Sequence, residues 1–176
     1  MSVSPKARSA YIPVLVAVLL IAGCTPRANG PLNRTETDSG NQSEICQPTV
    51  GAVTAYLALP IEVDESKAIE IETVTLVSAK NVTLVESRLV PVSPDSQFIL
   101  ELAPLRPKAA QAWNAGGLAV GADVASGEAV ELMSQVDIPE PGNEASTAGF
   151  EIIYHSDGDA YRYQSTVTYR LKPGTC

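Results

Sequence analysis

His155 is the only histidine among 176 residues, so an imidazole-dependent step has one place to occur. Asp157 stands two residues on and serines are plentiful, which raises Ser-His-Asp hydrolysis. That chemistry needs a serine on a strained strand-to-helix turn, and no Gly-x-Ser-x-Gly elbow is present to hold one. A histidine beside a hairpin turn reads instead as a solvated surface residue. Asp157 and Asp159 offer oxygen ligands to calcium, but Asp-Gly-Asp is also a tight-turn sequence, and no other ligand run supports an ion. Copper would call for clustered Met, His or Cys, and beyond residue 23 Met133 is the one methionine. Gly116-Gly117, followed by Leu-Ala-Val-Gly, fits neither phosphate-binding loop. The residues therefore predict no catalytic, cofactor-binding or metal site. A protein that is not an enzyme and carries no cofactor is expected.

The cysteines have a different chemistry. Cys24 closes the run Ile21-Ala22-Gly23-Cys24. Ahead of it lie a cationic start with Lys6 and Arg8 and an apolar stretch, Tyr11 to Ala22, too short to span a bilayer. Charge, length, small residues and cysteine together resemble the lipoprotein class of bacterial signal peptides. The resemblance implies that residues 1–23 are removed and that Cys24 becomes a diacylglyceryl-modified first residue, carrying acyl chains such as palmitate. Each buried CH₂ contributes about 0.8 kcal/mol, so two or three chains hold firmly to one leaflet. The expected address is the extracytoplasmic face of a cell membrane. With Cys24 lipidated, Cys46 and Cys176 remain as a pair in an oxidising compartment, where a disulfide is expected. The alternative is two free thiols, and cysteines this far apart beside one histidine make a poor metal site.

All 20 acids but only ten of the twelve basic residues lie beyond residue 23, for a net charge near −10. No basic footprint for nucleic acid exists, so that partner class is excluded, and net negative charge keeps an exported domain soluble. Thr25 to Glu44 carries Leu32 as its one large apolar side chain. Residues 24–45 are expected to be a disordered, lipid-bearing linker with a reach of roughly 25 Å.

From Cys46 the pattern becomes short apolar stretches of period two, cut by Pro, Gly, Asn and Asp. Val53, Ala55, Leu57 and Leu59 alternate. Ile69 and Ile71 alternate and then slip phase to Val74 and Leu76, which predicts a bulge near Thr73 or a strand buried on both faces. Phe98, Leu100 and Leu102 make a further row. Ala109 to Ala115 could form a helical turn ended by Gly116-Gly117. Val130, Leu132, Val136 and Ile138 oppose Glu131, Met133, Gln135 and Asp137. Pro139 to Thr147 reads as a polar loop. Phe150, Ile152 and Tyr154 enter a hairpin that turns at Ser156–Asp159. Tyr161, Tyr163, Val167, Tyr169 and Leu171 then share one face of a single closing strand. Residues 46–176 thus predict an all-β fold, an immunoglobulin-like antiparallel β-sandwich of about seven strands.

Val74-Thr75-Leu76-Val77, Asn81 to Val85, Leu89-Val90-Pro91 and the final Ile153-Tyr154 … Gly158 … Tyr161 … Cys176 resemble small exported lipoproteins of actinobacteria. The resemblance implies an exported sandwich and transfers no functional residue. What remains for function is surface. Trp113, in a loop after a proline-rich stretch, is a contact residue or caps one end of the core. Arg162, Arg170 and Lys172 form a basic strip for an anionic polymer or a solvated strand face. The expectation is a membrane-anchored, cell-surface binding module whose partner is an envelope protein or polymer. An extracytoplasmic carrier or chaperone for a small ligand or metal is the alternative, and a hydrolase the third reading.

Overall fold

The computed structural model describes residues 25–34, 43–49, 51–92 and 100–176. The expected signal peptide, Cys24 and Phe98 lie outside them. Among the described residues there are thirteen strands and one helix: β1 (Leu32–Arg34), β2 (Glu44–Thr49), β3 (Thr54–Val63), β4 (Ile69–Leu76), β5 (Thr83–Pro91), β6 (Leu100–Leu102), α1 (Pro107–Ala115), β7 (Gly117–Leu118), β8 (Asp123–Val124), β9 (Ala129–Asp137), β10 (Ala145–Thr147), β11 (Phe150–Ser156), β12 (Asp159–Gln164) and β13 (Thr168–Pro173). The fold is an all-β, sandwich-like packing of sheets, as the alternation predicts. Most of the excess over seven strands comes from pieces of two to three residues that line the edges.

A six-stranded sheet runs β1-β3-β9-β5-β7, with β6 sharing the outer edge of β3 with β1. β3 pairs with β9 from Thr54 to Glu62, along an inward row that is apolar in both strands except at Ser134. Ala55, Leu57, Leu59, Ile61 and Val63 face Val130, Leu132 and Val136 in one buried row. Val53, expected to open that row, stays exposed in the turn before β3. The opposing layer holds a four-stranded sheet, β12-β11-β4-β8, and a three-stranded one, β10-β13-β2. One core cluster joins the inner rows of all three sheets, with Tyr154, Tyr169 and Phe150 as its largest fully buried side chains.

The phase slip in β4 is a bulge. Ile153 faces Thr73 and Tyr154 faces Ile71, so Glu72 is the extra residue and the inward row resumes at Val74. The β11–β12 hairpin turns at Asp157-Gly158, with φ of 52° and 82°. Two residues in the left-handed region match the twist of the strands they join.

The expected single closing strand is two strands. The chain leaves the four-stranded sheet at Gln164, turns a corner at Ser165 and enters the three-stranded sheet as β13. Tyr161, Ser165, Val167, Tyr169 and Leu171 are all buried, and Tyr163 is half-buried, so the row predicted from period two survives the change of sheet. Phe150 N–H donates to the Ser165 hydroxyl at 2.8 Å, and Ser165 N–H donates to Phe150 O at 2.8 Å. Gly149 (φ +112°) lies under this corner, where a Cβ would stand 2.9 Å from Val167 O.

Two further expectations need correction. Within the stretch read as the loop Pro139 to Thr147, Ala145–Thr147 pairs antiparallel with β13. Within the expected linker 24–45, residues 25–34 are not a free tether. Arg27 makes a parallel bridge to Tyr161 on the edge of β12, and Leu32–Arg34 extends the edge of β3. Backbone hydrogen bonds carry this attachment, and they need no run of large apolar side chains. Leu32, the lone apolar residue, is buried.

Candidate functional site

The residues with chemistry in the sequence are distributed by strand alternation. His155 and Ser156 are adjacent on β11 and therefore point to opposite faces. Ser156 is buried and its hydroxyl donates to Ala68 O at 2.8 Å. His155 faces outward, where its Nε2 lies 3.0 Å from Glu72 Oε2, the carboxylate that the β4 bulge turns toward it. Both members of this pair are about half exposed (42% and 52%), so it is a surface contact screened by water. A shallow cleft of about 470 Å³ beside it is lined by Glu70, Asp123, His155, Ser156 and Asp157. Among the described residues no serine hydroxyl is hydrogen-bonded to His155 so as to be activated as a nucleophile.

Asp157 pairs with Lys67 at 3.1 Å, and this partner raises the lysine's pKa through hydrogen bond and charge. Asp159 pairs with Arg27 instead. The two carboxylates read as possible calcium ligands are thus each held by a cation, on either side of the turn. Among the described residues no group of three or more His, Cys, Asp or Glu is arranged to hold a metal.

Cys46 and Cys176 form a disulfide with Cα atoms 5.8 Å apart. Cys46 lies in β2, which runs parallel to β13 and aligns with Arg170. Beyond Pro173 the chain must double back to reach it, and Gly174 does so at φ +103°.

Trp113 is neither an exposed contact nor a cap on the end of the sandwich. It is 9% exposed, because α1 lies across the outer face of the six-stranded sheet. Pro107 starts the helix without needing a hydrogen-bonded N–H. Trp113 meets Tyr56 edge-to-face at 5.0 Å between centroids, and the Arg88 guanidinium sits 4.8 Å over the indole. Ala58, Val90, Ala109 and Met133 complete this second, smaller core. Gly116 lets the helix end press against β5, since a Cβ there would meet Val90 Cγ1 at 2.6 Å. On the strip read as basic, Arg170 is paired with Glu44 (3.2 Å) and Glu144 (3.3 Å).

The surface the sequence did not single out lies between the two sheets at the β5/β7 edge. An opening of about 300 Å³ is lined by Val74, Leu84, Val85, Glu86, Ser87, Leu118 and Val120. Three of these are large apolar side chains left in water: Val85 is 51%, Leu118 60% and Val120 56% exposed. Val85 is thrown outward by a second bulge, where Leu84 faces Val136 and Glu86 faces Gln135. Leu118 and Val120 alternate with buried Ala119, whose N–H donates to Ser87 O at 2.9 Å. The signal was present as Leu118-Ala119-Val120 between glycines, but without the bulge at Val85 it could not be assembled into a patch.

No protein-family model and no curated protein sequence matches the chain. Among solved structures, the Vibrio cholerae VesB protease superposes with a TM-score of 0.40 at 11% identity, over 74% of this chain and 30% of that one.

Proposed function

We propose that this chain is a lipid-anchored module of the extracytoplasmic membrane face that binds another envelope protein through the Val85, Leu118 and Val120 edge. The observation that carries the reading is that apolar patch. A soluble domain that can bury a leucine and two valines gains by doing so, and a patch left open around a cleft marks a contact surface. The Cys46–Cys176 disulfide supports an oxidising compartment, in keeping with the lipobox at Cys24. A partner with its own apolar side chains fits the opening, and the bulge at Val85 disfavours simple strand addition along β5.

A photo-crosslinking residue at position 118 or 120, expressed in the native host, is expected to capture one protein adduct. Leu118→Asp is expected to abolish co-purification of that partner at an unchanged melting temperature, since the side chain is 60% exposed. Capture from positions on the exposed face of α1 instead, or an unaltered yield with Leu118→Asp, overturns the reading. Cys24→Ser is expected to move the protein from membranes to the soluble fraction.

A further inference from the structure

Segment 25–34 is a strap across one side of the sandwich. At its start Arg27 N–H donates to Ala160 O and Arg162 N–H donates to Arg27 O, both at 2.8 Å, so it adds to the edge of β12. It then crosses to the other sheet. Asp64 N–H donates to Pro31 O at 2.8 Å, and Leu32 to Arg34 pair with Val63 to Ile61. Midway, Leu32 N–H donates to the Tyr154 hydroxyl at 3.2 Å, and Gly30 passes so close that a Cβ would fall 2.5 Å from the Tyr161 ring. The segment is held at both ends and pressed down in the middle.

Lipidation at Cys24 gives this strap a consequence. Three residue steps lead from Cys24 to Arg27, and an extended chain covers at most about 3.3–3.6 Å per residue. Arg27 therefore stays within about 10 Å of the cysteine that carries the acyl chains, well short of the roughly 25 Å of a free 20-residue tether. The surface that would then meet the head groups is suited to them. A cleft of about 700 Å³ beside the strap is lined by Ala28, Asn29, Asn33, Arg162 and Gln164, together with Gly30, Leu32, Tyr154 and Tyr163. None of these is acidic, although the chain as a whole carries 20 acids against 12 basic residues. Within a Debye length of about 8–10 Å of lipid phosphates, a carboxylate-rich face would be repelled.

We infer that the strap side of the sandwich, Arg27 to Asn33 with Arg162 and Gln164, lies against the lipid head groups. The Val85, Leu118 and Val120 edge then points away from them. This rests on the anchor reading above. Four strand steps separate β1 from β7, which puts the apolar edge about 19 Å from the strap across the sheet. The domain stands on its side edge, and its partner surface is held clear of the bilayer.

The test uses the acylated protein purified from membranes and reconstituted into phosphatidylcholine vesicles, with or without nitroxide-headgroup lipid. A fluorophore is placed on Gln164→Cys or on Leu118→Cys, with Asn33→Cys and Val120→Cys as a second pair should either melt below the parent. Quenching several-fold stronger at 164 than at 118 is expected. A flexible Gly-Ser segment inserted between Thr25 and Pro26 is expected to bring the two positions level without changing the acyl mass. Equal quenching in the uninserted protein, or stronger quenching at 118, overturns the orientation while leaving the anchor standing. A protein without acyl mass that fails to bind vesicles overturns the anchor and the orientation with it.

Discussion

At the scale of single residues, polar side chains set the geometry in places where the sequence shows only turn chemistry. Asn81 sits at φ +50°, a conformation asparagine tolerates, and turn formation explains its presence. It also clasps a remote loop: Glu140 N–H donates to its Oδ1 at 2.9 Å, and its Nδ2 donates to Glu140 O at 2.8 Å. The first role follows from the local turn chemistry of asparagine; the second depends on a loop about 60 residues away, which no local pattern shows. Tyr154 is a comparable case. Its place in the inward row of β11 follows from alternation, but the hydroxyl that receives the strap's Leu32 N–H does not. Burial raises the pKa of this phenol above its ordinary 10.0, with nearby Tyr161 adding to the rise and the Leu32 N–H opposing it. The folded state therefore holds the Tyr154 proton more tightly than the unfolded chain does. Its contribution is complete below the unfolded value and is lost as pH rises through the folded one. The melting temperature of the wild type is expected to fall above about pH 10, and that fall to be shallower in Tyr154→Phe. At neutral pH the same variant should be less stable by about 1 kcal/mol, having lost the acceptor for Leu32. Parallel alkaline profiles for the two proteins would show that Tyr154 is not the group responsible.

At the scale of elements, period two proved informative about faces and silent about sheets. The row from Tyr161 to Leu171 keeps its phase through the corner at Ser165, so nothing in the alternation marks the passage from one sheet to another. Only Gly149 and the Phe150–Ser165 exchange, remote in sequence from β13, show why the chain can bend there. The outer face of β9 misled for a related reason. Glu131, Met133 and Gln135 alternate with the apolar row, yet Glu131 and Met133 are both buried, Met133 because α1, about twenty residues upstream, folds over the sheet. Alternation predicts which residues share a face, and a covering element from elsewhere decides whether that face meets water. The face assignment in β13 can be checked directly. Val167 is 9% exposed, packed in the main core at the mouth of the corner. Val167→Asp would bury a charge with no partner and is expected to cost about 3 kcal/mol or more, measured by denaturant unfolding. Thr168→Asp, on the other face beside Glu44 in the register, is expected to cost less than about 1 kcal/mol. Equal losses would mean that the corner at Ser165 turns the strand over.

At the scale of the whole molecule, the sandwich is closed along both sides by segments that visit each sheet in turn. The strap joins β12 to β3 on one side. On the other, Ala119 N–H bonds to Ser87 O in the six-stranded sheet and, two residues later, Gly121 N–H bonds to Ile71 O in the four-stranded sheet at 2.7 Å. Both devices blunt free strand edges, which would otherwise template aggregation. In the third sheet Lys80 bridges Ser146 at the β10 edge, while β2 is an outer strand that, among the described residues, pairs with β13 alone, in parallel. The disulfide ties the tail beyond β13 back to β2 and so secures that strand. It also spans 130 residues, nearly the entire described domain. Loop-closure entropy sets a ceiling near 5 kcal/mol for such a link, and observed effects generally fall below that, at about 2–4 kcal/mol. Reduction is therefore expected to lower the unfolding free energy by about 2–4 kcal/mol. Because β2 pairs on one side only among the described residues, its amides should lose hydrogen-exchange protection first, while those of β3 and β9 inside the six-stranded sheet hold until global unfolding. Loss of protection in β3 and β9 together with β2 on reduction would mean that the disulfide secures the whole sandwich and not its third sheet.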